Sequence, residues 1–120
     1  MDRTEARERL TKLREEFAAT VDAIRARLAQ PERDASDIAL VDQHPADVAT
    51  ETSDRELDAS REAMFVARLR QIDDAFARLK AGTYGTCIVC GEAIPDERLR
   101  LVSDTPYCVK DAAREQARAS

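Results

Sequence analysis

The chain has no tryptophan, three phenylalanines, two tyrosines and one histidine among its 120 residues. So few rings leave little material for a broad core. With 36% of residues charged, the composition suits long solvated helices with a thin apolar seam. Three glycines and four prolines leave few places where a helix must break. No apolar run approaches the roughly 18 residues of a membrane span. The charged start MDRTEARERL lacks the apolar stretch of a secretory leader, so a cytoplasmic protein with no membrane partner is expected. Three cysteines in such a compartment exclude a disulfide framework. With a single histidine, a Cys–His nucleophilic pair has no second member near the cysteines.

What charge there is lies unevenly. The net value is −5, yet residues 31–58 hold nine acids against Arg33 and Arg55, a local −7 that leaves the rest at +2. Without a basic footprint, direct sequence-specific DNA binding is not expected. An acidic stretch of this kind reads either as a solvated loop or as a tip that seeks a positive or metal-containing target.

On both sides of that stretch the apolar residues follow helical spacing. Leu10, Leu13, Phe17, Val21, Ile24 and Leu28 form one stripe, which predicts a helix over 4–30 with Asp2 and Glu5 as a capping pair and Pro31 beyond its end. Phe65, Leu69, Ile72, Phe76 and Leu79 form a second, extended backwards by Leu57 and Met64. Ser53 with Glu56 resembles a capping box for its start, and Gly82 is a natural stop. Two stripes of matched length pair best as an antiparallel coiled-coil hairpin about 40 Å long, with a monomer favoured and dimerisation left open. The connection, residues 31–52, is long enough to expect a role for it, and Asp47 sits two residues past Pro45 as an early-turn acid of a short helix would. The division expected is 1–82 for the hairpin, with its acidic tip at about 31–52, and 83–120 for a separate C-terminal element.

That element carries the chemistry. Cys87-x2-Cys90-x17-Cys108-x2-Asp111 has the spacing of a two-knuckle zinc ribbon, with an aspartate where the fourth cysteine would close the second pair. Two intervening residues allow a tight turn to aim both ligands at one tetrahedral ion, and Gly91 supplies the permissive backbone. A carboxylate oxygen is an allowed fourth zinc ligand, although a harder one than thiolate. Asp111 reads equally as the early-turn acid of a terminal helix beginning in CVKDAAREQARA. Residues 92–107 suit short strands and turns. A ribbon this small needs metal or packing against the helices, which favours a structural zinc while leaving a metal-free ribbon open. A redox C-x-x-C would be expected beside a βαβ unit, and a long helix precedes this one. His44 would lie at the other end of the hairpin, too far away to ligate in cis.

YGTCIVCGEAIPDERL and PYCVKDA, following a long helix, resemble the zinc-finger region of the DksA/TraR family of bacterial transcription regulators. The likeness extends over the chain, because that family also places a coiled-coil hairpin with an acidic tip before its finger. It implies a non-enzymatic protein that binds RNA polymerase, inserting the tip into the secondary channel and modulating initiation. The segment DQHPADVATETSDRE looks like the tip region of the actinobacterial and sporulation-associated branches. Asp47 and Ala49 match the family's second tip aspartate and its alanine. His44 takes the place of the first aspartate, with Asp42 nearby. The polymerase-contacting tip expected from the resemblance is thus Asp42, His44, Asp47 and Ala49, and the zinc ligands are Cys87, Cys90, Cys108 and Asp111. An adaptor or stress protein of the same architecture with another protein partner is the alternative.

Overall fold

The computed structural model describes residues 1–31 and 45–119, the side chains of 45–49 excepted. The fold is mainly α, and the described residues form four helices in the order α1 (Arg3–Leu28), α2 (Pro45–Ala81), α3 (Asp96–Leu101) and α4 (Val109–Ala119). Among the described residues the only β pairing is a single bridge between Thr86 and Ala93. Of the expected tip, Asp42 and His44 lie outside the described residues, as do the side chains of Asp47 and Ala49.

Both long helices form where the apolar spacing predicts, and their ends show why. Asp2 caps α1, its Oδ1 accepting from the Glu5 N–H at 2.8 Å, so one of the orphan donors of the first turn is satisfied. At the other end Ala81 is the last residue of α2, and Gly82 adopts φ +81°. The Thr83 N–H returns to the Arg78 carbonyl at 2.9 Å and the Gly82 N–H to that of Leu79 at 3.3 Å. This is a Schellman stop, and it needs the left-handed backbone that glycine adopts without a Cβ clash.

Two expectations are corrected. Helix α2 starts at Pro45 rather than at Ser53, so Asp47 belongs to the first turn of the long helix and not to a separate short one. Proline favours a first helical position because its φ is already helical and its missing N–H would be unpaired there anyway. The segment expected to hold short strands instead contains α3. Pro95 sets its entry, and Asp96 and Glu97 place acids in its first turn, where the helix dipole favours them.

The chain packs as two units. In the unit Phe17–Ala67, number rises along α1 as it falls along α2 through successive pairs: Phe17 with Phe65, Arg25 with Glu62, Arg27 with Asp58. The helices are therefore antiparallel here. Val21 and Ile24 are buried between them, and Arg55 closes the end by donating to the Leu28 and Gln30 carbonyls, each at 3.1 Å. Leu57 and Met64, expected to extend the seam, are instead 50% and 65% exposed.

The second unit comprises Met1–Glu16 and Arg68–Ser120. Its helices are also antiparallel, with Arg14 paired to Asp73 and Arg3 donating to the Leu79 carbonyl. Ala6 and Leu10 of α1 are buried, as are Ile72, Ala75 and Leu79 of α2. The C-terminal element belongs to this same unit. Its small core of Cys87, Ile94 and Leu99 is joined by the half-buried Tyr84 and Cys108.

Candidate metal centre

The first knuckle is a tight turn held by its own backbone. The Cys87 N–H donates to the Glu92 carbonyl at 2.8 Å, and the Gly91 N–H returns to the Cys87 carbonyl at 2.9 Å. That return bends the chain sharply after Cys90, and Gly91 meets the demand with φ +75°. The second knuckle is the start of α4. Cys108 stands immediately before the helix and its carbonyl accepts the Ala112 N–H at 2.9 Å. Asp111 is thereby carried on the first helical turn, facing inward and buried. A bond of 3.0 Å from the Ile88 N–H to the Pro106 carbonyl ties the two knuckles together.

These elements bring all four expected ligands together. The Sγ atoms of Cys87, Cys90 and Cys108 and one carboxylate oxygen of Asp111 lie within 4.8 Å of one another. Asp111 Oδ2 is 3.1 Å from Cys87 Sγ and 3.2 Å from Cys108 Sγ, and Cys90 and Cys108 sulfurs are 3.9 Å apart. With metal–sulfur bonds of about 2.3 Å and a metal–oxygen bond of about 2.0 Å, a tetrahedron has sulfur–sulfur edges of about 3.8 Å and sulfur–oxygen edges of about 3.5 Å. These three edges are within a few tenths of an ångström of the ideal values and all four atoms lie within 4.8 Å, so the donor set fits zinc. The early-turn acid and the candidate fourth ligand are the same residue, because the first turn of α4 is what aims Asp111 at the sulfurs.

The electrostatics are those of donors crowded together. Burial opposes the Cys87 thiolate, but the N–H groups of Cys90, Cys108 and Val89 outweigh it and lower that thiol below its ordinary range. For Cys90 the Glu92 N–H favours the thiolate, yet the Asp111 carboxylate, burial and the neighbouring thiols push it up to about 12. Thiol donation from Cys87, then Cys108 and Cys90, holds the Asp111 carboxyl below its usual range. A dication answers all of these at once, since it stabilises every deprotonated donor.

A second polar cluster anchors this element to α2, and the spacing of residues gave no hint of it. Asp104 is fully buried in the loop after α3. Arg68 donates to both its oxygens through Nε and Nη2, the latter at 2.7 Å, and Gln71 Nε2 adds a bond of 2.9 Å. Close by, the Tyr84 hydroxyl donates to the Ser103 carbonyl at 2.8 Å, and burial pushes its ionisation up to about 12. Glu5 of α1 receives both Arg9 and Arg100.

Residues 82–117 match the prokaryotic dksA/traR C4-type zinc finger. A stretch of 47 residues, 39% of the chain, is 49% identical to an uncharacterised protein of Aquifex aeolicus. Two Bacillus subtilis proteins match over slightly more than half of the chain: the uncharacterised protein YteA at 38% identity over 66 residues, and general stress protein 16O at 39% over 67. The matched stretches span 32%, 28% and 39% of those three proteins, well short of their full lengths. Among solved structures, transcription factor DksA2 from Pseudomonas aeruginosa superposes with a TM-score of 0.76 at 25% identity, over 98% of this chain and 84% of that one. The finger match and the cysteine cluster together support a structural zinc.

Proposed function

Because the chain belongs to the DksA/TraR family, we propose that its transcription-factor role is exercised by binding RNA polymerase, with the acidic hairpin tip entering the secondary channel and altering initiation. The observation that carries this reading is the whole-chain superposition on a transcription factor, which includes the helical hairpin as well as the finger. In this reading residues 1–82 are the arm and 83–120 its anchor. Asp42, His44, Asp47 and Ala49 act at the tip, and the local −7 suits delivery of carboxylates to a cationic or metal-bearing centre. The protein is a cytoplasmic regulator and not an enzyme.

Cys87, Cys90, Cys108 and Asp111 would hold the zinc, whose part is to fix the two knuckles. The chain's own residues do the rest: Cys108 and Asp111 lock the start of α4 to the first knuckle, while Arg68 and Gln71 hold the loop after α3 through Asp104. The reading is tested by co-purification with core RNA polymerase and by promoter-complex lifetimes with wild-type protein and Asp47→Asn. Wild type is expected to bind the enzyme and change the lifetime, and the variant to bind but lose the effect. An unchanged lifetime with wild type sinks the proposal and leaves the adaptor or stress-protein alternative, in keeping with the name of one relative.

A further inference from the structure

The two oxygens of Asp111 have different surroundings. Oδ2 faces the sulfurs, at 3.1 Å from Cys87 and 3.2 Å from Cys108. Oδ1 is met instead by Arg114 Nη1 at 3.5 Å, one helical turn along α4. The carboxylate is 3% exposed, whereas the arginine side chain is 66% exposed, so the cation reaches in from the surface to a buried oxygen. The i,i+3 spacing on α4 makes that approach a property of the helix itself.

We propose that Arg114 is a positioning residue for the metal centre: by occupying Oδ1 it restricts Asp111 to one ligating oxygen, Oδ2, and so keeps the site four-coordinate. A carboxylate differs from the thiolate it replaces in having a second donor atom, which can swing onto a metal and raise the coordination number. A Cys₄ finger has no such ambiguity. Here the restraint is supplied three residues later by a side chain that cannot itself ligate, as outer-shell partners orient metal ligands generally. The inference rests on the zinc reading above, and the experiment separates the two.

The full chain is stripped with chelator and titrated with cobalt(II), a spectroscopic stand-in for zinc, as wild type, Arg114→Ala, Arg114→Lys, Asp111→Cys and the Arg114→Ala/Asp111→Cys double variant. Zinc affinity is measured in parallel by competition with a chromogenic chelator. Wild type is expected to give the intense visible bands of tetrahedral cobalt with thiolate charge transfer. Arg114→Ala should weaken those bands and lose about tenfold in zinc affinity, the lower end of outer-shell effects, while Arg114→Lys restores much of both. In the Asp111→Cys background the same Arg114→Ala change should do nothing, because a thiolate has no second oxygen to restrain. Identical bands and affinity in wild type and Arg114→Ala overturn the inference, as does an equal loss in the Asp111→Cys background. Failure of wild type to take up cobalt or zinc overturns the metal reading itself.

Discussion

Removing Arg68 should cost more stability than removing the aspartate it holds. Asp104 is fully buried, and Arg68 and Gln71 are the side chains that reach its carboxylate. Arg68→Ala takes away both bonds of the guanidinium and leaves the buried carboxylate with the Gln71 bond and the more distant charge of Arg78. Breaking a buried pair from one side costs about 3–5 kcal/mol, and Asp104 is itself fully buried, so about 4 kcal/mol is expected. Asp104→Ala removes the buried partner of a guanidinium whose side chain is 34% exposed and can turn outward. Solvent screening then discounts the loss to about 2 kcal/mol. Replacing both partners by apolar residues, as in Arg68→Met/Asp104→Leu, should cost less than Arg68→Ala alone. Urea denaturation of the zinc-saturated protein, followed by circular dichroism, measures all three. Equal losses for the two alanine variants, or a larger one for Asp104→Ala, would refute the reasoning, because the ranking comes directly from which partner can reach solvent.

Other consequences are open to simpler measurements. Gly82→Ala forces a Cβ into a φ of +81°, which should destabilise by about 1 kcal/mol, with Gly82→Asn losing less, by thermal melting. The Phe17 and Phe65 rings, 5.3 Å apart, should show a coupling of about 1 kcal/mol in a double-mutant cycle. Coupling near zero would mean the rings only fill space. Asp58 has its folded pKa lowered from 3.8, chiefly by the hydrogen bonds from Arg27. Its contribution is therefore complete well above pH 3.8 and is lost as pH falls through the depressed folded value; Asp58→Asn should flatten the acid limb of a stability–pH curve. Asp111→Ala should reduce zinc affinity by at least tenfold in chelator competition, and unchanged affinity would remove Asp111 from the ligand set.

Features that depend on local chemistry could be read from residues alone. The stripe from Leu10 to Leu28 and the one from Phe65 to Leu79 need only helical periodicity, and the stop at Gly82 only the backbone freedom of glycine. The grouping of Cys87, Cys90, Cys108 and Asp111 was legible because two knuckles require fixed spacing. Where two local signals competed, sequence reasoning picked the wrong one. Ser53 and Glu56 imitate a capping box, yet Pro45 starts the helix and the box positions are simply two of its later residues. Asp96–Leu101 is too short for periodicity to reveal, and its helix depends on Leu99 entering the core beside Ile94 and Cys87. Asp104 could not have been singled out, because its partners Arg68 and Gln71 stand more than 30 residues earlier. Arg114 had one local sign, its position a turn after Asp111, which acquires meaning only once the carboxylate is known to face the sulfurs.

The pairing of Glu5 with Arg100 has a further consequence, for the order in which the chain assembles. These residues are separated by 95 positions, and Arg3 similarly waits for Leu79. During synthesis the first turns of α1 therefore emerge long before these distant partners exist. Arg25 and Glu62, by contrast, are 37 apart, a much shorter loop to close. The paired helix segments 17–28 and 55–67 should zip first, and the first turns of α1 should gain protection last, together with the C-terminal element, an order that pulsed hydrogen exchange during refolding would register. The unit that holds the metal centre is in this sense the clasp of the molecule, closed only when both ends of the chain have arrived.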